Sequence, residues 1–509
     1  MFFHAPEEEK SMAQLSPIRT AVPLLDGLIL LYRGKVRDTY EIDAERMLMV
    51  ATDGISIFDF VLNALVPEKG MILTAMSHFW FNRVAEYGVR THVIAAGAGI
   101  DVFLPVPLRG NTDLQSRAMV VRRMRMHPVE FVARAYLTGS ALAEYRKTGT
   151  MCGHQLPKGL QDGDELPVIF DTPTTKSDNG HDEALNYAVV SKEYTQETLL
   201  LLDIFAVMST FANERGIIMA DSKMEFGQHN GFPVLGDEVG TPDSSRFWNK
   251  VEWREGRKIA EGRIAPPPFD KQLVRAWGIE QGINTLDPRN SDDLARVHGL
   301  RVPQDLIRAT THTYRYIFWR LFGTRVEEYL NRELNVALPT KKKRVAIVFG
   351  SESDIKPVLP ILRLFQSGGS ARGILGHPSI HVISCHRNPM MLDLFVQSGC
   401  EGADVIVAAG GKAFALPGVL DALLYAKFKD ISVVGVALGN PGTRALDAAK
   451  LSIEELPGQP VIMDEVNGTA YAGNEGMLAA LIRISSGELP PAKPRAHKIA
   501  KFNIDLAAL

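Results

Sequence analysis

Residues 336–354 read Val336-Ala337-Leu338-Pro339-Thr340-Lys341-Lys342-Lys343-Arg344-Val345-Ala346-Ile347-Val348-Phe349-Gly350-Ser351-Glu352-Ser353-Asp354. A helical pattern stops at Pro339, which cannot continue it, and the basic run Lys341 to Arg344 resists burial. A β-branched and aromatic run follows at once and reads as a buried strand. The stretch predicts an exposed linker with a new domain opening behind it. It divides the chain into a domain over 15–335, a linker over 336–343, a domain over 344–488 and a tail over 489–509.

Downstream, strand-like runs at Val345–Phe349, His381–Ser384, Asp404–Ala408, Ser432–Ala437 and Pro460–Met463 alternate with helical stretches. Such alternation predicts an α/β fold, a doubly wound parallel sheet covered on both faces, with ligands at the carboxyl ends of its strands. Upstream, from about residue 30 to 240, short alternating runs broken by turns and joined by occasional helices predict an α+β domain. One helix is marked by Leu201, Ile204, Phe205, Met208, Phe211 and Ala212, with Gly216 as its stop. Residues 270–334 read as mostly helical.

The 509 residues are 46% hydrophobic and 23% charged, enough for several packed cores and incompatible with a disordered chain. With 56 basic against 59 acidic side chains, net −3, nothing favours nucleic acid or an anionic membrane as partner. Cys152, Cys385 and Cys400 form no C-x-x-C pair and suit a reducing compartment. The N-terminus carries no basic-then-apolar leader, and no unbroken apolar run spans a bilayer. The expectation is a soluble cytoplasmic protein.

Chemistry concentrates at four places upstream. In Ile217-Ile218-Met219-Ala220-Asp221-Ser222-Lys223-Met224-Glu225-Phe226-Gly227, strand alternation puts Asp221, Lys223 and Glu225 on one face. A turn and Val234-Leu235-Gly236-Asp237-Glu238 follow, predicting a hairpin. If its register brings Asp237 beside Glu225, two carboxylates converge as a nucleotide–magnesium site requires; otherwise the row is a solvated face with cross-strand ion pairs. Arg33-Gly34-Lys35-Val36-Arg37-Asp38, followed by an extended run to Val50, offers Lys35 and Arg37 to phosphate or is plain surface; it is not a P-loop. Glu130 to Ser140 place Arg134 and Ser140 where they can hold an anion, and Thr241 to Arg246 are similar in kind.

With Thr52-Asp53, Ser56, Phe58-Asp59, Pro67 to Gly70 and His181-Asp182-Glu183, these motifs resemble the SAICAR synthetase family over about residues 30–335. The resemblance implies an ATP-grasp-like α+β domain. It also implies ATP- and Mg2+-dependent joining of L-aspartate to a carboxyaminoimidazole ribotide. It gives Gly34, Lys35, Arg37, Glu130 and Lys176 to ATP; Glu225 and Asp237 to the metal; Arg134, Ser140, Asp182 and Arg246 to the substrate; and Lys223 and Asp221 to catalysis. One departure stands out: the family commonly has Thr-Asp-Arg where this chain has Thr52-Asp53-Gly54.

In the second domain, Gly350 to Asp354 open a helix and form either an anion site or a plain N-cap. Ser384-Cys385-His386-Arg387-Asn388-Pro389 and Gly410-Gly411-Lys412 should share that sheet edge, with His386 able to move a proton. These residues resemble the PurE family over about 344–488. The resemblance implies a flavodoxin-like sheet that interconverts aminoimidazole ribotides, from bicarbonate/CO2 or an N-carboxylated donor, and a homo-octamer. It assigns Ser351, Ser353, Asp354, Ser384, Gly411 and Lys412 to the ribotide, Arg387 to its phosphate and His386 to proton transfer. The loop Gly411-Lys412-Ala413-Phe414-Ala415-Leu416-Pro417-Gly418 is one residue longer than the bacterial mutase pattern and lacks its second histidine. A non-catalytic scaffold is the alternative for this domain. A dinucleotide-dependent oxidoreductase is disfavoured, because no G-x-G-x-x-G follows the first strand.

Overall fold

The computed structural model describes residues 15–176, 183–259, 265–266, 268–338, 343–366, 378–412, 414–427, 431–456, 460–464, 467–486 and 489. The chain divides into two compact units, Met1–Pro339 and Thr340–Leu509.

The first unit begins with β1 (Ile29–Arg33), β2 (Arg37–Glu41) and β3 (Arg46–Ala51), then the hairpin β4 (Gly54–Ile57) and β5 (Phe60–Leu65), then β6 (Val93–Ala96) and β7 (Ala118–Arg122). Among the described residues β1-β2-β3-β7-β6 form one antiparallel sheet. The extended run expected from Arg37 to Val50 is instead a hairpin. Asp43 Oδ1 accepts the Glu45 and Arg46 N–H groups at 2.9 Å each and turns the chain between β2 and β3.

A second sheet follows from β8 (Arg125–Met126), β9 (Val129–Leu137), β12 (Asp164–Asp171), β13 (Thr174–Thr175), β14 (Ile217–His229), β15 (Phe232–Gly236) and β16 (Ser245–Asn249). The small hairpin of β10 (Thr150–Met151) and β11 (His154–Gln155) stands apart. Strand β14 is its spine, pairing with β9, β16, β15 and β8. It runs past the turn expected at Gly227 to His229. The reversal comes at Asn230-Gly231, both with positive φ, as a two-residue hairpin turn requires. Met219, Met224 and Phe226 on one face join a core with Trp80, Phe205, Met208 and Phe247, leaving the other face of β14 for charge.

The helix Thr195–Glu214 has the length and mean hydropathy of a membrane span. Here it lays Leu201, Ile204, Phe205, Met208 and Ala212 into that same core, so its apolarity has a packing cause.

The second unit contains β17 (Val345–Phe349), β18 (Ser379–Val382), β19 (Val405–Gly411), β20 (Ser432–Leu438) and β21 (Tyr471–Ala472). They pair in parallel in the order β18-β17-β19-β20-β21, the flavodoxin-like order whose direction reverses between the first and third strands. Alternate residues of β17 feed two cores. Ala346 and Val348 pack with the helices Pro389–Gln397, Leu416–Ala426 and Arg444–Glu454, while Val345, Ile347 and Phe349 pack with Ile355–Gln366 and Gly473–Ser486. The fifth strand differs from expectation. Val461, Ile462 and Met463 are buried, but only an isolated bridge ties Ile462 to Val434, and the pairing strand is Tyr471–Ala472.

Candidate active sites

Strand register builds the first site. Asp221 on β14 lies opposite Arg134 on β9 and Arg246 on β16. Its carboxylate accepts a short charge-assisted bond from Arg134 Nη1 and lies 3.5 Å from Arg246 Nη1. Two residues along, Lys223 Nζ donates to Glu130 Oε1 at 2.5 Å, and two further, Glu225 pairs with Lys176. Gly139, at φ +60°, opens the helix that carries Ser140; a Cβ there would collide with the Arg246 guanidinium. Only glycine lets that arginine lie across the turn.

Asp237 directly follows β15 in the left-handed region, φ 51°. Such a conformation costs a non-glycine residue on the order of 1 kcal/mol, and it is found where a side chain must be aimed. Asp237 lines the same cavity as Glu225, and its charge acts on the Glu225 carboxyl. Burial and then Asp237 push the Glu225 carboxyl above its ordinary value, despite Lys176 and Lys223. Burial acts the same way on Asp237, but Arg37, Lys176 and Lys223 hold it below the usual carboxylate range. Lys223 loses charge stability by burial, yet Glu130 and Glu225 raise its pKa overall. Arg37 reaches Asp237 Oδ1 at 2.9 Å and Glu238 Oε2 at 2.5 Å, and Lys35 reaches Asp59 Oδ1 at 2.7 Å. The two cations expected to meet phosphate thus rest on carboxylates.

All these groups line one cavity of about 710 Å³ between the two sheets of the first unit, ample for a nucleotide with a second small substrate. It brings together Gly34, Lys35, Arg37, Glu130, Arg134, Ser140, Lys176, Asp221, Lys223, Glu225, Asp237 and Arg246. Asp182 lies outside the described residues.

The cavity also holds groups that sequence reasoning missed. Met47, Met49, Met124 and Met126 supply an apolar wall. His92, buried beside Asp237, has its pKa lowered by burial to about 4 and is neutral at physiological pH. Asp243 bonds Lys69 Nζ at 2.6 Å and the Tyr314 hydroxyl at 2.5 Å. Burial alone would raise the Asp243 carboxyl; Lys69, Lys271 and Tyr314 hold it well below the carboxylate range. Burial likewise lowers the Lys271 ammonium. Asp243 and Lys69 each stood inside a motif read from the sequence, but their pairing, and that of Asp243 with Tyr314, joins residues far apart along the chain.

In the second unit the loops after β17, β18 and β19 meet at one sheet edge. Arg387 donates through Nη2 to the Gly350 carbonyl at 3.2 Å and through its backbone N–H to Ser384 Oγ at 3.2 Å. Ser351 and Ser353 hydroxyls lie 2.5 Å apart. Burial raises the Asp354 carboxyl, offset in part by bonds from Ser351 and the Gly411 N–H. His386 is exposed, its Nδ1 3.5 Å from Cys385 Sγ. Lys412 is exposed in a left-handed conformation, while Phe414 turns inward against Gly410.

Comparison with known proteins agrees with this division. The family model for SAICAR synthetase matches residues 30–288, and that for AIR carboxylase matches residues 344–490. A phosphoribosylaminoimidazole-succinocarboxamide synthase of Streptomyces avermitilis is 40% identical over 305 residues, which are 58% of this chain and 94% of the relative. The Saccharomyces cerevisiae enzyme of the same name is 37% identical over 59% of this chain and 97% of its own length. The solved SAICAR synthase of S. cerevisiae, complexed with SAICAR, superposes with a TM-score of 0.51 at 35% identity, covering 60% of this chain and 98% of that one. This chain belongs to the SAICAR synthetase family and carries an AIR carboxylase-like domain behind it.

Proposed function

We propose that the protein is bifunctional: its first unit joins L-aspartate to carboxyaminoimidazole ribotide at the expense of ATP, and its second unit makes that ribotide. The observation that carries the ligase reading is the meeting of Glu225 and Asp237 in a cavity ringed by Lys35, Arg37, Lys176 and Lys223. Two mutually repelling carboxylates fit a divalent cation, and Mg2+ suits their hard oxygens. Among the described residues no three His, Cys, Asp or Glu side chains converge, so phosphate oxygens and water would complete its shell. When bound, that ion would neutralise phosphate charge.

The chemistry needs no nucleophilic side chain. The ribotide carboxylate attacks the terminal phosphorus of ATP, ADP leaves, and an acyl phosphate forms. The aspartate amine then attacks its carbonyl, the C–O bond to phosphate breaks, and the amine proton is released. Positioning and charge compensation are the protein's task. Lys35 and Arg37, exchanging their carboxylate partners for phosphate, hold the nucleotide. Arg134, Arg246 and Ser140 hold the anionic groups of the ribotide, Asp221 aligns the two arginines, and Lys223 acts at the reacting carboxylate. A nucleotide held between two antiparallel sheets also suits an ATP-grasp-like description.

In the second unit, the convergence of Ser351, Asp354, Arg387 and the Gly411 N–H at the switch point of a parallel sheet supports ribotide binding, with His386 as proton carrier. Joining the two activities in one chain raises the local concentration of the shared intermediate. Exposed Met390, Met391 and Leu394 on this unit support an assembly of several chains, read as a homo-octamer. The cytoplasmic reading rests on three free thiols.

The test supplies purified protein with carboxyaminoimidazole ribotide, L-aspartate and MgATP. A second assay gives it aminoimidazole ribotide with bicarbonate, or the N-carboxylated ribotide. Product in the first assay alone leaves the second unit as a scaffold; absence of product in the first removes the ligase reading.

A further inference from the structure

Position 54 is a glycine on strand β4, and the reason lies in a different part of the chain. A Cβ at Gly54 would stand 2.9 Å from Arg19 Cδ and 3.4 Å from its Nε. Arg19 belongs to the segment Leu15–Ala21 ahead of the first sheet, and its side chain is fully buried. The segment is fixed by local bonds: Ser16 Oγ accepts the Arg19 N–H at 3.3 Å, and Ile18 N–H donates to Asn63 Oδ1 at 3.3 Å.

Arg19 Nη2 donates to Asp38 Oδ1 at 2.5 Å, and the other Asp38 oxygen lies 3.3 Å from Arg33 Nη2. Arg33 Nη1 in turn donates to the Arg19 and Val22 carbonyls at 3.3 Å each. Arg33 and Asp38 are register partners on β1 and β2, so they flank the Gly34–Arg37 turn on both sides. Arg33 and Leu15 also line the cavity. From below, Thr52 holds the same turn, with its N–H and hydroxyl donating to the Val36 carbonyl at 2.9 and 3.0 Å.

We infer that Arg19 is a positioning residue for nucleotide binding: it enters the space left by the absent side chain of Gly54 and, through Asp38 and Arg33, preshapes the Gly34–Arg37 turn. The inference rests on the reading that this turn receives the nucleotide phosphates. The physical reason is charge arithmetic in a dry site. Asp38 is 3% exposed and shared by two guanidiniums, so the trio carries net positive charge behind the turn. Without Arg19, buried Asp38 loses one of its two guanidinium partners, and the Arg33–Asp38 pair that flanks the turn loses the group that braces it. A turn whose backbone is already fixed receives phosphate without first being ordered, so that only the Lys35 and Arg37 side chains have to exchange partners.

The test measures KM for MgATP, kcat, direct MgATP binding by calorimetry and thermal melting in wild type, Arg19→Ala, Arg19→Lys and the double variant Arg19→Ala/Gly54→Arg. Arg19→Ala should raise KM for MgATP about tenfold with kcat within about twofold. The double variant regrows a guanidinium from β4 into the same space and should return KM to within about threefold of wild type. Arg19→Lys keeps the charge without the fork and should raise KM about threefold; it carries the test where Arg19→Ala does not fold. An Arg19→Ala protein with wild-type KM overturns the inference, as does equal loss of kcat and melting temperature with no recovery in the double variant. A wild type that binds no MgATP overturns the ligase reading and this inference together. A wild type whose binding is lost in Lys35→Ala but unchanged in Arg19→Ala overturns this inference alone.

Discussion

The two candidate sites are built on opposite plans. In the first unit the central charged groups stand on strands or at strand ends and already have partners: Asp221 between two arginines, Lys223 on Glu130, Glu225 on Lys176, Arg37 on Asp237 and Glu238. In the second unit the groups stand on loops beyond the strands, largely exposed and joined by a few neutral or backbone bonds. The first plan makes the site part of the core, so that catalysis and stability share residues. The second leaves the sheet to fold by itself and adds chemistry at its edge, so function and stability come apart.

The largest effect that can break this contrast is expected from Glu225→Ala. ATP-dependent aspartate ligation should fall roughly a thousandfold or more, with carboxyl-shift turnover in the second unit unchanged. Equal loss of both, measured on one preparation, would show that the sites are not independent.

Asp243→Asn comes next. It leaves Lys69 buried without its counter-charge, at a cost of about 3–5 kcal/mol. All five tryptophans lie in the first unit, so urea titration followed by tryptophan fluorescence reads that unit directly. Because the folded Asp243 pKa is depressed, its stabilisation is complete above the ordinary aspartate value. It is lost as pH falls through the folded value. The gap between wild type and variant should therefore stay constant from pH 8 to about 5 and close under stronger acid. A gap that widens on acidification would refute the assignment.

His386→Asn sharpens the other side of the comparison. Ribotide carboxyl exchange should drop roughly a hundredfold while the melting midpoint of the second unit stays where it was. Unchanged turnover removes the proton-carrier role. The smallest effect is expected from Gly139→Ala, which displaces the Arg246 guanidinium: KM for the ribotide should rise about tenfold with kcat within about twofold, and a KM at the wild-type value would show that Arg246 does not hold the ribotide.

The sequence made one half of the first site legible and hid the other half. Asp221, Lys223 and Glu225 were readable because a strand's period of two is local, and their shared face follows from spacing alone. Whether Asp237 joins Glu225 depended on a hairpin register, which the turn at Asn230-Gly231 sets and which the sequence left open. Arg19, His92 and Tyr314 had no local signature, and Lys69, inside the Pro67–Gly70 motif, gave no sign of its partner. Each matters through a residue distant in the chain, as Lys69 does through Asp243. In the second unit the alternation of strands and helices gave the architecture, but β21 is two residues long and shows no period. The more apolar Val461-Ile462-Met463 took its place in the reading.

Strand β14 has a consequence for how this chain can change length. Its thirteen residues meet four other strands, and one face is packed with Met219, Met224 and Phe226 while the other presents the acid–lysine–acid row. The pairing is irregular between Met219 and Asp221 but regular from Asp221 to Met224, so one residue inserted between Asp221 and Lys223 would exchange the faces beyond it, driving Lys223 and Glu225 into the apolar interior and Met224 and Phe226 into the cavity. From Asp221 onward, single-residue length variation in descendants of this sequence is therefore confined to the exposed reversal at Asn230-Gly231.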